Sequence, residues 1–328
     1  MLLLGFGTQG CYLTHLASGQ WRLLRAREPI EGLLADPDTS ESLRRQLELV
    51  LRTREYASAL GLEVGGQYTS YVPWPGDRII TNVVAARAGE LEPATFWFPV
   101  VGRVPYRGYF DRERAQAEAE RLRADGYDVC IGPVRAYSTL GWFDDPVTGP
   151  MLGIGEGWLV ETLLHELVHA TAFVASQPEF NEGIATFVGE EASVDFFAVT
   201  ESADAAVRRR QEVEERRAVN TEVLALRDAV AALYESEASV AARSARRDDL
   251  ESRTRGRLAA LAMQVYDAAG VAERARLNDA CLALAATYTA DVPAFTQALT
   301  RSESLPAFIR RLRRAADAED PRAALLAH

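Results

Sequence analysis

The chain contains 328 residues, of which 48% are hydrophobic and 25% are charged, a composition typical of a globular protein with a sizeable core. Its 36 basic and 47 acidic residues give a net charge of −11. This balance argues against nucleic acid as a main partner, because phosphate binding requires a basic surface; a basic peptide or a neutral substrate fits better. All 36 basic residues are arginine, and the chain contains no lysine. Mechanisms that need lysine, such as a Schiff base or a P-loop, are therefore excluded.

The first part of the chain has a helical pattern. Leucines recur at helical spacing from about Tyr12, Pro29 interrupts them, and Gly61 is expected to end the second helix. Between about Tyr68 and Tyr137, β-branched and aromatic runs alternate with proline and glycine, which predicts short strands. The predicted strands are Tyr68–Val72, Ile79–Ala85, Thr95–Val101 and Tyr127–Ile131. A charged helix is predicted at Asp111–Asp125, with Asp111 as its cap and Gly126 as its stop.

The three cysteines are far apart in the sequence and suggest neither a zinc ribbon nor a disulfide framework. Cys130 and Cys281 are therefore expected to be buried, inert thiols. Gly10-Cys11 is similar to the end of a lipoprotein cleavage site, although the residues before it do not match and the apolar run at the N-terminus has no basic region. A lipid on Cys11 would be the one membrane tether, because no apolar run approaches the roughly 20 residues of a membrane span.

After Pro150 the pattern is helical. Gly157–Ala175 is apolar on nearly all sides, which predicts a buried helix. Ser176–Glu179 has the Ser-x-x-Glu form of a capping box and predicts the start of a second helix. From Glu190 to Arg255 there is neither glycine nor proline, so long helices folded back as a hairpin are expected.

The first of these helices carries His165-Glu166-Leu167-Val168-His169, an H-E-x-x-H motif that contains two of the chain's 4 histidines. Residues at positions i and i+4 share one face of a helix, so the two imidazoles can converge on a single metal ion. Glu166 is then placed to take a proton from the attacking water. This spacing is typical of a mononuclear zinc hydrolase.

Zinc hydrolases use three protein ligands, and the scarcity of histidine favours a carboxylate or a thiolate as the third. Glu182 is the best candidate, because it lies early in the next helix, after a connection long enough for the chain to reverse. Glu190 and Glu191 are weaker alternatives, and Glu161 stands one turn before His165.

A different interpretation is that the two histidines are satisfied core residues and that Glu182 only caps a helix. This interpretation does not explain Glu166, because burying an ionised carboxylate in a helix costs free energy unless a positive charge lies nearby. The sequence therefore predicts one Zn²⁺ ion bound by His165, His169 and Glu182.

The oxyanion that develops during hydrolysis needs a donor, and no spare histidine is available. Tyr137 and Tyr288 are the candidates, and each could equally be an ordinary half-buried aromatic residue. The stretch Ala136–Phe143 is a candidate edge along which a peptide backbone pairs above the metal. It could also be a core strand that leads into a turn.

Several segments resemble the motifs of a known family. They are Gly19-Gln20, Leu23–Ile30, Phe98–Gly102, Val104–Phe110, Ala136–Pro146, His165–His169, Phe180–Glu182, Ala185–Gly189, Thr287-Tyr288 and Val292–Phe295. By these segments the chain resembles the bacterial putative aminopeptidase family, zinc peptidases of the Glu-zincin type that are often described as lipoproteins. The resemblance implies zinc binding by His165, His169 and Glu182, catalysis by Glu166, and a location in the cell envelope or periplasm.

The chain also departs from related patterns. Gly183, a poor helix former, follows Glu182, and Thr186 stands where thermolysin-like enzymes have an aspartate. The partner that orients a ligand histidine is thus unassigned.

Taken together, these features predict an α+β, zincin-like metallopeptidase with a small mixed sheet. Residues 1–150 would form a helical and strand region and residues 151–328 a helical zinc half with long C-terminal helices, the two acting as one catalytic unit. Aminopeptidase activity on peptides is the leading hypothesis; the alternatives are a zinc endopeptidase and a catalytically silent envelope scaffold. Aminopeptidase specificity requires a carboxylate that holds the substrate's α-amine, and the sequence does not identify it.

Overall fold

Helices predominate in the computed structural model, which describes residues 5–98, 102–136, 144–236, 239–289 and 291–327. The helices are α1 (Gly5–Arg25), α2 (Ile30–Ala35), α3 (Glu41–Leu60), α4 (Arg112–Ala124), α5 (Gly149–Leu152), α6 (Glu156–Thr171), α7 (Pro178–Thr200), α8 (Ala203–Glu235), α9 (Val240–Ala259), α10 (Ala268–Arg274), α11 (Asp279–Thr289), α12 (Val292–Ser302), α13 (Leu305–Ala316) and α14 (Pro321–Leu326). None of the described helices combines the length and apolar character needed to cross a membrane.

The strands are short and form small sheets. They are β1 (Glu28–Pro29), β2 (Ser70–Val72), β3 (Ile80–Arg87), β4 (Phe96–Phe98), β5 (Gly102–Val104), β6 (Arg107–Tyr109), β7 (Tyr127–Val134) and β8 (Val147–Thr148). One sheet has the order β1-β2-β8, with β2 and β8 parallel, and a second has the antiparallel order β6-β3-β7; β4 and β5 form a hairpin. Together with the helices they confirm the α+β class.

Local capping explains why several predicted boundaries are confirmed. Gly61 ends α3 with a φ of 90°, a left-handed conformation that glycine adopts readily. The Asp111 side chain accepts hydrogen bonds from the backbone N–H groups of Glu113 and Arg114 and so caps α4. Gly126 follows that helix with a φ of 83°.

Two predicted boundaries are wrong. The capping box at Ser176 does not form, because Ser176 has a φ of 63° and the residue that precedes α7 is Gln177, whose side chain makes no capping hydrogen bond. The motif helix ends at Thr171, four residues before the predicted Ala175. The chain needs those residues for a loop that reverses its direction.

The strand predictions are partly confirmed. β3 matches the predicted strand Ile79–Ala85, and β7 contains the predicted strand Tyr127–Ile131. β2 starts at Ser70, because Tyr68 has a left-handed φ of 57° that a strand cannot contain. Of the predicted strand Thr95–Val101, Phe96–Phe98 forms β4, and residues 99–101 lie outside the described part. β1, β5, β6 and β8, which have two or three residues each, were not predicted.

The helical second half follows the expected course. The glycine- and proline-free segment forms the end of α7 and then α8 and α9, which pack against each other as the predicted hairpin. The main core cluster combines residues of both halves of the chain, for example Leu47 of α3, Leu163 of α6, Phe187 of α7 and Phe308 of α13. The boundary at residue 150 stays a prediction.

A disulfide joins Cys130 of β7 to Cys281 of α11, so the expectation that both are free thiols is wrong. Their separation of 151 residues gave no spacing signal in the sequence. Only the packing of α11 against β3 and β7 brings the two cysteines together. Such bonds persist in oxidising compartments and are rare in the cytosol.

Removing this disulfide should lower the free energy of unfolding, because the cross-link closes a long loop and restricts the unfolded chain. We expect the double variant Cys130→Ser/Cys281→Ser to lose about 2–5 kcal/mol in chemical denaturation.

The matched control is Cys11→Ser, which keeps both cysteines of the disulfide. In denatured, unreduced Cys11→Ser protein, thiol titration should detect no free thiol before reduction. Two reactive thiols before reduction would contradict the disulfide.

Candidate metal centre

The motif helix α6 runs through the protein core. Gly155 precedes the helix and has a φ of 92°, which allows the chain to turn sharply into α6. Leu159, Leu163 and Leu167 are buried on its core-facing sides. His165 and His169, one turn apart, lie with ring centroids 4.8 Å from each other and nearly perpendicular planes, so their imidazoles share one face as the spacing predicts.

The loop after α6 returns the chain towards the histidines, and Asn181 fixes this loop. The Asn181 side-chain oxygen accepts a hydrogen bond from the backbone N–H of Val174 at 2.9 Å, and its amide donates to the carbonyl of the same residue at 2.7 Å. Asn181 is buried in the first turn of α7. The next residue, Glu182, is thereby directed at the histidine pair.

Glycine allows the two helices to come close. A Cβ atom on Gly189 of α7 would stand 3.0 Å from the carbonyl oxygen of Glu161 and 3.3 Å from the Cβ of His165 on α6. Any larger residue would push these backbones apart. Gly183, unfavourable for a helix by propensity, is also buried and does not interrupt α7.

Three ligand atoms converge where these helices meet. The Nε2 atoms of His165 and His169 are 3.1 Å apart; Oε2 of Glu182 lies 3.3 Å from the first, and Oε1 of Glu182 lies 3.6 Å from the second. All three atoms are within 4.8 Å of one another. Ligands 2.0–2.1 Å from a tetrahedral zinc ion stand about 3.3–3.5 Å apart. The three residues therefore fit an ion of this size and geometry.

The electrostatics of the cluster favour an ionised carboxylate. Burial raises the pKa of Glu182, but its hydrogen bonds with His165 and His169 outweigh this effect and hold the pKa at about 2. Burial alone would lower the pKa of His165. The hydrogen bond with Glu182 and the charge of Glu166 outweigh burial, so the pKa of His165 is raised. Glu182 therefore carries a negative charge at neutral pH.

The outer nitrogens of the two imidazoles have different surroundings. The hydroxyl of Thr186, one turn after Glu182, lies 3.5 Å from Nδ1 of His165, so the residue that replaces the thermolysin-type aspartate faces a ligand histidine. The buried Nδ1 of His169 has no hydrogen-bond partner in the part of the chain that the structure describes. The orienting contact is therefore a weak one, made to one imidazole.

Glu166 stands apart from the three ligand atoms. It is half-buried and, with His165, lines one end of a cavity of about 520 Å³. This position leaves its carboxylate accessible to a water molecule or a substrate.

The predicted oxyanion donors are not tested. Tyr137 and most of the proposed substrate edge Ala136–Phe143 lie outside the described residues, and Tyr288 lies in α11 with its side chain undescribed. Two other tyrosines, which the sequence did not single out, lie near Glu166. The pKa of Tyr106 is raised mainly by burial and further by the charges of Glu182 and Glu166. The pKa of the fully buried Tyr68 is also raised, mainly by burial and further by the charge of Glu166.

The remaining acidic candidates belong to a buried ion cluster. Arg209 and Arg216 both donate to Oε2 of Glu161, and Arg216 and Arg217 donate to Glu190. Glu191 is paired with Arg210 and Arg217, and Glu212 with Arg209. Glu161, Glu190 and Glu191, which the sequence offered as alternatives, are thus paired with arginines, whereas the cluster of possible metal ligands among the described residues contains Glu182.

Breaking this cluster should destabilise the protein, because the remaining carboxylates would be buried without a counter-charge. Arg209 is 2% exposed and contacts Glu161 and Glu212. We expect Arg209→Met to lower the free energy of unfolding by about 3–5 kcal/mol, measured by urea denaturation.

Arg45→Met is the control, because the pair of Arg45 with Glu41 is 65% and 82% exposed and should contribute less than about 1 kcal/mol. Equal losses in the two variants would show that the cluster contributes no more than a surface pair.

Comparison with known proteins gives one match. The model of a family described as putative aminopeptidase matches residues 11–326, which include every described element from α2 to α14. No curated protein and no solved structure matches the chain.

Proposed function

The chain belongs to the putative aminopeptidase family, and we propose that it is a zinc-dependent aminopeptidase with a zincin-like catalytic half. In this proposal His165, His169 and Glu182 hold one ion, and Glu166 is the general base. The family description supports a peptidase. Zinc and the mechanism are inferred from the residues of this chain.

One observation carries the proposal. The two Nε2 atoms are 3.1 Å apart, and each has one carboxylate oxygen of Glu182 at 3.3 or 3.6 Å, which is close to the spacing of about 3.3–3.5 Å between ligands of a tetrahedral zinc ion. Three protein ligands leave a fourth position open, as catalytic zinc sites do. Two buried histidines and a carboxylate that served only packing would not need this convergence.

When bound, zinc supplies Lewis acidity towards the scissile carbonyl and lowers the pKa of water to about 7. The carboxylate of Glu166 accepts the proton of the attacking water and then delivers it to the nitrogen of the leaving amine.

The negative charge that develops on the carbonyl oxygen needs a hydrogen-bond donor. Tyr106 is the described tyrosine best suited to this role, because it is 38% exposed and lies near Glu182 and Glu166, whose charges add to the effect of burial in raising its pKa. Tyr137 and Tyr288 remain predictions for the same role.

Glu166→Gln should abolish hydrolysis and retain the metal, because glutamine keeps the shape of the side chain and cannot accept the proton. We expect one zinc per chain in both proteins and a fall in kcat of at least about 100-fold in the variant. Metal analysis and the hydrolysis of N-terminally free and N-acetylated peptides measure the two quantities.

Glu156→Gln is the matched control, since Glu156 is an exposed residue in the first turn of the same helix. Its activity should equal that of the wild type. Equal cleavage of free and acetylated peptides would favour an endopeptidase over an aminopeptidase. Zinc binding without cleavage of any peptide by the wild type would favour a silent scaffold.

A further inference from the structure

A second cavity, of about 580 Å³, lies between the strands β3 and β7 and the helices α8, α10 and α11. Its volume is typical of a pocket that holds a small ligand. Val219 of α8 and Val271 of α10 line both this cavity and the one that Glu166 lines. The two cavities therefore adjoin at these valines, and a substrate at Glu166 that extends past them enters the second cavity.

The wall of the second cavity is largely apolar. Besides the two shared valines, apolar residues from both strands and from α8 and α11 line it: Val84, Pro133, Val134, Val223 and Leu284. The disulfide between Cys130 and Cys281 also lines the cavity and joins β7 to α11. Two of its walls are thus held together covalently, and a pocket that is already formed needs less ordering when a ligand binds.

The charged residues that line the second cavity have one sign. They are Arg274 and Arg276, and none of the described residues that line it is acidic. The adjoining cavity has the opposite balance, because three glutamates and one arginine line it. The second cavity therefore favours an anionic group, although the chain as a whole has a net charge of −11.

Arg276 is positioned by strand β7. Its Nη1 donates a hydrogen bond to the carbonyl of Ile131, and its guanidinium lies beside Gly132, where a Cβ atom would stand 3.6 Å from Nη1. No carboxylate in the described part of the chain forms an ion pair with Arg276. The remaining N–H groups of its planar fork can therefore bind a ligand.

Arg274 is the second guanidinium of the cavity. A Cβ atom on Gly270 would stand 2.8 Å from Nη1 of Arg274 and 2.4 Å from Oδ2 of Asp267, so glycine leaves room here for both side chains. Oδ2 of Asp267 accepts a hydrogen bond from the backbone N–H of Gly270 at 3.0 Å and caps α10. Asp267 does not line the cavity, and no ion pair joins Arg274 to it or to any other described residue.

We propose that the second cavity is a subsite for a carboxylate of the peptide substrate, bound by Arg276 and Arg274. A guanidinium binds a carboxylate through two parallel hydrogen bonds, and the apolar wall accommodates the hydrocarbon part of the residue that carries it. The carboxylate is either that of the C-terminus of a short peptide or that of an acidic side chain. The inference rests on the proposed peptidase function and names its substrate class.

Equilibrium binding tests the subsite without requiring catalysis. The probes are Leu-Ala-Leu with a free C-terminus, Leu-Ala-Leu amide and Leu-Ala-Glu amide, each titrated calorimetrically into Glu166→Gln protein; the same set with two further alanines covers a longer span. We expect at least one carboxylate-bearing peptide to bind about fivefold or more tightly than the Leu-Ala-Leu amide of equal length. Which of the two binds more tightly identifies the C-terminus or the acidic side chain as the source.

Arg276→Gln and Arg274→Gln, combined in one protein, should remove this preference and have a smaller effect on the affinity for the amide. The matched control is the exposed Arg246 of α9, which lies outside both cavities. Arg246→Gln removes one positive charge, as each single cavity variant does, and should retain the preference. Thermal unfolding checks that each variant folds.

A further variant leaves both arginines in place. Asn82 is a half-buried residue of β3 that lines the cavity. Asn82→Asp keeps nearly the same shape and adds a negative charge, so it should weaken the binding of the carboxylate-bearing peptides by several-fold and leave the binding of Leu-Ala-Leu amide unchanged.

Equal affinity for the free acid, the acidic side chain and the amide would overturn the subsite, as would a preference that neither the arginine variants nor Asn82→Asp changes. Octanoate distinguishes another source of the same chemistry. If octanoate binds in a manner that depends on Arg276 and the peptides show no preference, the cavity is a fatty-acid site and the peptide subsite is overturned.

Failure of the proposed function gives a different result. In that case zinc is not bound and no peptide is cleaved, whereas the carboxylate preference and its dependence on Arg276 and Arg274 are still measured.

Discussion

The close packing of α6 against α7 is the contact on which the candidate site depends. His165 and His169 share a face of α6 by helical geometry alone, but Glu182 reaches them only because α7 returns alongside. Gly189 permits that approach, since a Cβ there would stand 3.0 Å from the backbone of α6. Asn181 fixes the reversal by two hydrogen bonds to Val174.

The third helix of this group, α8, supplies the arginines that allow α6 and α7 to carry buried acidic residues. Four guanidinium groups of α8 pair with four carboxylates, one on α6, two on α7 and one on α8 itself. Arginine suits this arrangement because its planar fork binds two oxygens at once, as Arg210 does with Glu191 at 2.9 and 2.7 Å. The same cluster holds Glu161 and Glu190 in the wall of the cavity that His165 and Glu166 also line.

The sequence predicted the features that depend on local spacing. The i, i+4 histidines, the caps at Asp111 and Gly61, and the hairpin of α8 and α9 follow from periodicity and from the residues that start and end helices. The disulfide and the Glu161 cluster were missed, because their partners are separated by 151 residues in one case and about 50 in the other. Local patterns do not report such contacts. The capping box failed because the loop geometry that directs Glu182 took precedence over a favourable local motif.

Metal binding by Glu182 tests the account most directly, because this residue joins the predicted motif to the packing of α7. Zinc affinity should be measured for metal-free wild type, Glu182→Ala and Glu179→Ala, an exposed glutamate one turn earlier on the same helix. The account predicts one tightly bound zinc in the wild type and in Glu179→Ala, and a loss of at least about tenfold in affinity in Glu182→Ala. Wild-type protein that binds no zinc, or Glu182→Ala protein that binds it as tightly as the wild type, would contradict it.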